Sequence, residues 1–236
     1  MAIKNSRRLI GAIILLIGAI LLVAALFSPW YAFKTSFHGG STTQNYYPGL
    51  PSTNGTIQYS CSDTPSCSPQ TSYNGARLNN TGTVAETGFF LLTIAIILGA
   101  VAAIFGFASR GNSRRSRPAL AFGVLTLLLA IITPVLFAAA LPGAISNDSS
   151  SFYHAANASG PWSSFIGSSS AVTPLGILSF DWGPALGWYL SIAAFVVVLV
   201  GVIILFLGRK EPAEAAPAPA STASVATPPL TSPPAP

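Results

Sequence analysis

Four long apolar stretches, none of which contains Asp, Glu, Lys, Arg or His, most constrain what this chain can fold into. They cover residues 9–33, 88–108, 118–141 and 182–207. A helix rises about 1.5 Å per residue, so roughly 20 apolar residues cross the ~30 Å hydrocarbon core of a bilayer. Only 7% of the residues are charged, against about a quarter in a soluble domain. The sequence predicts an all-α membrane protein, a bundle of four transmembrane helices.

The charges between the spans predict how the chain is threaded through the membrane. All but two of the 11 Lys and Arg residues lie before the first span, between spans two and three, or after span four. Basic residues collect on the cytoplasmic side of membrane proteins. We therefore expect a multi-pass protein of the cell membrane with both termini in the cytoplasm. The first apolar run is longer than a signal peptide's, so we expect it to stay as an uncleaved anchor.

The predicted segments follow from these spans and charges. In chain order they are a cytoplasmic N-terminus (1–8), TM1 (9–33), outer segment 1 (34–87), TM2 (88–108), a basic loop (109–117), TM3 (118–141), outer segment 2 (142–181), TM4 (182–207) and a Pro/Ala-rich cytoplasmic tail (208–236). The tail has too few bulky apolar residues to form a core, so we expect it to be disordered. Outer segment 1 has turn formers and β-type composition, so we expect a small domain with short antiparallel strands there.

Two features of the outer segments agree with this topology. The glycosylation pattern Asn-x-Ser/Thr occurs only there, at the candidate sites Asn54, Asn79, Asn147 and Asn157. The two cysteines, Cys61 and Cys67, also lie there, and in an oxidising compartment we expect a local disulfide between them. A metal site would need further ligands at a recognisable spacing, and a redox dithiol would need C-x-x-C. We expect no metal site.

Aromatic and small residues mark the expected edges and contacts of the helices. Aromatic rings at the ends of spans favour the membrane interface, and the predicted interface anchors are Trp30, Tyr31, Trp182, Trp188 and Tyr189. Small residues at four-residue intervals let helices approach closely, and the predicted packing positions are Ala95, Gly99, Ala103, Ala119, Gly123, Gly183, Gly187 and Ser191. Such stripes serve either the four helices of one chain or an interface with a partner chain.

The layout resembles the claudin and peripheral-myelin-protein-22 type of tetraspan membrane protein. Trp30, Gly49-Leu50 and the pair Cys61 and Cys67 follow one another in the order of that family's motif. Pro51 stands where the family has a second tryptophan, and the cysteine spacing is short. The resemblance implies a tetraspan with a large first outer loop, and paracellular barrier function is not carried over.

These patterns favour a non-enzymatic protein that mediates adhesion, assembly or organisation of partner membrane proteins. The sequence contains no nucleophile-elbow, zinc-protease, P-loop or dinucleotide motif, so we expect no catalytic residues and no cofactor. The expected partners are the bilayer, and a homo-oligomer or other membrane proteins, but not nucleic acid. We expect anionic lipid head groups at one further set of residues, namely Arg110, Arg114, Arg115 and Arg117. The alternative is an accessory subunit of a membrane enzyme complex, or a small transporter or channel with Glu86 as its carboxylate.

Overall fold

The computed structural model of the chain describes residues 2–53, 55–62, 70–109, 116–148, 163–174 and 176–210. Four of its helices are long and apolar enough to cross a membrane. They are α1 (Ala2–Leu26), α2 (Asn79–Ala108), α3 (Ser116–Asp148) and α4 (Leu186–Lys210). The prediction of a four-helix, multi-pass membrane protein is thus confirmed. The predicted Pro/Ala-rich tail after Lys210 lies outside the described residues.

The helices form a ring in which α1 and α3 each pack against both α2 and α4. Every second or third apolar side chain of α1 points into this bundle, because positions three and four apart share one helix face. Ala12, Leu15, Ala19 and Leu22 are at most 4% exposed, whereas Ile13 and Ile20 lie on the outer surface, 41% and 59% exposed. Exposed apolar side chains all around the bundle fit a lipid environment.

A small antiparallel sheet caps one end of the bundle. Its strands are β1 (Tyr31–Phe37), β2 (Gly40–Tyr46), β3 (Ile57–Cys61), β4 (Gln70–Thr71), β5 (Gly167–Thr173) and β6 (Gly176–Pro184). They lie in the order β4-β3-β2-β1-β6-β5, so both segments predicted to lie outside contribute to one sheet. We call this the sheet end of the bundle, and the opposite end, where α1 begins and α4 finishes, the termini end.

The helices begin and end elsewhere than the apolar runs predicted. The first run extended to Phe33, but α1 ends at Leu26 and residues 31–37 form β1. Pro29 explains this, because a proline disfavours helical geometry in the residue before it. Likewise α4 begins at Leu186, after Pro184, and not at Trp182. Apolar composition continues across these prolines, but the helix does not.

Helices α2 and α3 extend beyond the predicted spans at the sheet end. The predicted boundaries were residue 88 for TM2 and residue 141 for TM3, whereas α2 starts at Asn79 and α3 continues to Asp148. The carboxylate of Asp148 accepts hydrogen bonds from the backbone N–H groups of Asn80 and Thr81, at 3.0 and 2.7 Å. The first N–H groups of a helix have no partner within the helix, so α3 supplies the cap that Leu78 does not provide.

The strands follow the sequence where turn chemistry is clear. The expected β-type segment after Gly55 is β3. His38 and Gly39 join β1 to β2 with φ angles of 47° and 86°, as a two-residue hairpin turn with both residues at positive φ requires. Outer segment 2 was not predicted to contain strands, and the structure corrects this with β5 and β6. The alternation of Leu178, Phe180 and Trp182 with polar residues was the available signal.

Candidate functional site

Five aromatic side chains connect the sheet to the helices, and we call them the junction cluster: Trp30, Tyr31, Phe137, Phe165 and Trp188. The ring of Phe165 lies 5.5 Å from Tyr31, 6.4 Å from Phe137 and 5.9 Å from Trp188. Trp30 packs edge-on against Phe137 at 5.2 Å. Such aromatic pairs stabilise beyond their buried area. The cluster therefore fixes both outer segments onto α3 and α4.

The indole N–H groups of the cluster are hydrogen-bonded within the protein. Trp30 donates to the carbonyl of Ala25 at 2.8 Å, and Trp188 donates to the carbonyl of Pro134 at 3.1 Å. The latter bond links α4 to α3 at Pro134, one of two prolines inside α3. Buried indoles normally find such partners. Trp30 acts here as the joint between helix and sheet, since its backbone also bonds to Tyr46 and Ala185.

Three of the five predicted interface anchors are buried within the protein. Trp30 and Tyr31 are 0% exposed and Trp182 is 5% exposed, within β6 and not within α4. Trp188 is half-buried in the junction cluster, and only Tyr189, 55% exposed, lies where an anchor was expected. The sequence located these rings at the correct end of the bundle but could not show that a sheet covers them.

Burial changes the acid–base behaviour of two tyrosines in the sheet region. Desolvation, with the nearby Tyr46 as a smaller cause, raises the pKa of Tyr31 and of Tyr73. The hydroxyl of Tyr73 donates to the carbonyl of Tyr47 at 2.7 Å, whereas that of Tyr31 has no hydrogen-bond partner among the described residues. In the folded protein both phenols therefore stay protonated at pH values above those at which a tyrosine ordinarily loses its proton.

The predicted packing positions are buried within this chain, with one exception. Ala95, Ala103, Ala119 and Ser191 are at most 1% exposed. Gly99, Gly123 and Gly187 are buried as well. The exception is Gly183, which lies in β6 and belongs to no helix stripe. The small residues thus serve close packing within the chain, the first of the two uses that the sequence allowed.

Two glycines show how close this packing is. A Cβ atom added to Gly187 would lie 2.5 Å from Cδ1 of Trp30 and 2.7 Å from the carbonyl oxygen of Ser28. One added to Gly123 would lie 3.0 Å from Cγ2 of Val202. The absence of a side chain at Gly187 therefore allows Trp30 of the junction cluster to pack directly against α4.

Among the motif residues before the cysteine pair, Trp30 belongs to the junction cluster, whereas Gly49 contacts α2 and Leu50 lies at the surface. Gly49 donates its backbone N–H to the carbonyl of Ala85 in α2 at 3.4 Å, and Leu50 is 40% exposed beside it. Cys61 ends β3, with its sulfur 3.5 Å from the hydroxyl oxygen of Thr42. Cys67 lies outside the described residues, so the disulfide stays a prediction.

Two of the four candidate glycosylation sites lie within the described residues, and two lie outside them. Asn79 is exposed at the start of α2 and Asn147 is exposed near the end of α3, both at the sheet end. Asn54 and Asn157 lie outside the described residues, as do Arg110, Arg114 and Arg115 of the basic loop. Arg117 is exposed at the start of α3.

An exposed apolar patch lies on the hairpin of β5 and β6, and sequence reasoning did not find it. Val172 and Ile177 are directly opposite each other across the two strands and are 87% and 63% exposed. Ile166, at the other end of β5, is also 63% exposed. We call the pair of Val172 and Ile177 the hairpin patch. Side chains alternate between the faces of a sheet, so the pair lies on the face opposite Phe180 and Trp182.

The part of the chain that the structure describes has no group of three His, Cys, Asp or Glu side chains that could hold a metal ion. Comparison with protein-family models and with curated protein sequences finds no match for this chain.

Proposed function

We propose that this is a non-enzymatic, claudin-like tetraspan membrane protein whose sheet mediates adhesion or assembly by contact with a second copy of the chain. The hairpin patch is the single observation that carries the proposal. Val172 and Ile177 form an apolar pair that covers nothing among the described residues and is directed away from the junction cluster. Exposed apolar patches on an otherwise polar surface mark interaction sites.

The strand that bears the patch is suited to such a contact. Among the described strands, β5 and β4 form the two edges of the sheet, and β4 has only 2 residues whereas β5 has 7. Edge strands are protected from association by charges, prolines or shortness. The β5 sequence, Gly-Ser-Ser-Ser-Ala-Val-Thr, has no charge and no proline. A long, uncharged edge strand therefore favours pairing with another strand.

A second copy is the partner that this chemistry favours. Two β5 strands carry no like charges that would repel each other, and an antiparallel pair would place small side chains opposite one another. The sheet itself is held firmly by the junction cluster, so the contact surface is formed before the partner arrives. Preformed surfaces bind with a smaller ordering cost.

The resemblance to claudins supports the same class of function. Trp30 and Gly49, two residues of the motif, lie at the junction between the sheet and the helices. Residues in such positions hold an outer domain in a fixed orientation and perform no chemistry. We propose, on this basis, that the protein belongs among the tetraspans that act through their outer domain, in the cell membrane with both termini in the cytoplasm.

Transport is the second candidate, and one observation favours it. Glu86 lies within α2, in the turns that precede the predicted second span, and it is half-buried there. Buried carboxylates in membrane spans are frequently functional. Against this, the bundle interior is filled by apolar side chains such as Leu15, Phe137 and Val198. Substrate-dependent flux in proteoliposomes that Glu86→Gln abolishes would establish transport in place of the structural role.

The proposal is tested by measuring association of the purified chain in vesicles. Protein labelled with a donor fluorophore and protein labelled with an acceptor fluorophore are reconstituted either together in the same vesicles or in separate vesicles. Energy transfer in the first arrangement reports assembly within a membrane, and energy transfer in the second reports adhesion between membranes. The double variant Val172→Ser, Ile177→Ser should weaken association by about tenfold, since the loss of an anchoring apolar pair costs at least ~1.4 kcal/mol.

A matched control distinguishes the patch from general loss of apolar surface. Leu50→Ser removes a side chain that is 40% exposed in outer segment 1, away from the hairpin. It should leave energy transfer unchanged. Equal transfer for the wild type and the double variant, or a wild type that stays monomeric at every density, would exclude homotypic contact through the hairpin.

A further inference from the structure

A groove at the termini end of the bundle combines one cation with an apolar wall. The described residues that line it are Arg7 and Ile10 of α1 and Ile204 and Leu207 of α4, and its volume is about 390 Å³. Sites for small molecules have volumes of this order. Ile10 and Leu207 are 47% and 51% exposed, so the groove opens toward the surroundings of the bundle.

The groove lies at the depth of a membrane where head groups meet hydrocarbon. The uncharged apolar run of α1 begins at Leu9, two residues after Arg7, and that of α4 ends at Leu207. Arg7 and Leu207 are thus at the ends of their spans, while Ile10 and Ile204 lie one helical turn deeper. A ligand in this position has its polar part beside Arg7 and its apolar part along the isoleucines.

Arg7 and the adjacent Arg8 lie on different faces of α1. Arg8 is 5% exposed and donates to the carbonyl of Ser109 at 3.2 Å, which ties α1 to the end of α2. Arg7 is exposed on the neighbouring surface of α1. A Cβ added at Gly208 would be in ordinary van der Waals contact with Cγ of Arg8, at 3.4 Å, so α4 passes close to α1 here. Helices α1 and α4 therefore form both walls of the groove.

The sequence that adjoins the groove residues is basic. Lys4, Arg209 and Lys210 adjoin it in the sequence, whereas the carboxylates of the described residues, Glu86, Asp148 and Asp181, belong to the sheet end. The other carboxylates nearby in sequence, Glu211 and Glu214, follow α4 outside the described residues. Each basic side chain near a membrane surface adds about 1 kcal/mol of attraction to anionic lipid.

We infer that this groove binds a phospholipid with an anionic head group from the leaflet at the termini end, with its phosphate at Arg7 and an acyl chain along Ile10, Ile204 and Leu207. This site is distinct from the basic loop, where lipid contact was expected from sequence alone. It goes beyond the proposed function and does not depend on it.

Native mass spectrometry of the full chain tests the site. The protein in mild detergent is titrated with dioleoyl-phosphatidylglycerol or with dioleoyl-phosphatidylcholine. The wild type should retain the anionic lipid several times more strongly. Arg7→Gln should reduce that preference by about fivefold, the factor that corresponds to one surface charge. Leu207→Trp fills the groove and should weaken the binding of both lipids.

Lys34→Gln is the matched control for charge. Lys34 is exposed in β1 at the sheet end of the bundle, and it does not line the groove. This variant should bind the anionic lipid as the wild type does. An equal loss for Arg7→Gln and Lys34→Gln would show an effect of net charge with no site, and a wild type without preference for the anionic lipid would also overturn the inference.

Discussion

Where two segments of the chain approach closely, the space between them decides which residue type fits. Gly187 makes this clear, because Trp30 and the carbonyl of Ser28 occupy the space that any side chain would need. Gly187→Ala should therefore lower the free energy of unfolding by about 1 to 3 kcal/mol, the range for overpacking a well-packed site. The measurement is the thermal unfolding midpoint in detergent, followed by tryptophan fluorescence.

Gly143 provides the control for this substitution. It lies within α3, and an added Cβ there meets nothing within 4 Å. Alanine is the better helix former by roughly 0.5 to 1 kcal/mol, so Gly143→Ala should leave the midpoint unchanged or raise it. If both variants lower the unfolding midpoint equally, the close contact between Gly187 and Trp30 is not the cause of the destabilisation.

Whole elements depend on partners far away in the sequence. Helix α2 begins at Asn79 because the Asp148 carboxylate from α3 accepts from Asn80 and Thr81. Asp148→Ala should destabilise the protein by about 1 to 2 kcal/mol, as loss of a helix cap does. Hydrogen exchange should then accelerate in the first turns of α2 and not in its membrane-spanning part.

Asp181 provides a control that distinguishes loss of the helix cap from loss of a negative charge. Asp181 lies exposed in β6, and none of the hydrogen bonds within the described residues involves its carboxylate. Asp181→Ala should leave exchange in α2 unchanged. If it instead accelerates exchange there as much as Asp148→Ala does, the cap is not the cause.

At the scale of the whole molecule, the sheet and the start of α3 lie at opposite ends of the bundle. Lys34 is exposed in β1 and Arg117 is exposed at the beginning of α3. The bias of basic residues predicts that the second lies in the cytoplasm. In intact cells, a membrane-impermeant maleimide should label Lys34→Cys directly and Arg117→Cys only after permeabilisation.

The unmodified chain measures background labelling of the native Cys61 and Cys67 in the same assay. Labelling of Arg117→Cys in intact cells would reverse the orientation that the sequence predicts. The sheet would then face the cytoplasm, and adhesion between cells would be excluded.

The sequence by itself determined that this chain crosses a membrane four times, because the cost of exposing apolar spans to water depends on composition alone. Only the tertiary structure decided where the helices end and which side chains form surfaces. Trp30 and Trp182 resemble interface residues in sequence, yet Trp30 is buried against Phe137 and Gly187, and Trp182 is buried within β6. Val172 and Ile177 become a patch only because the pairing of β5 with β6 directs them outward. Pairing and capping join residues distant in the chain, so no local pattern encodes them.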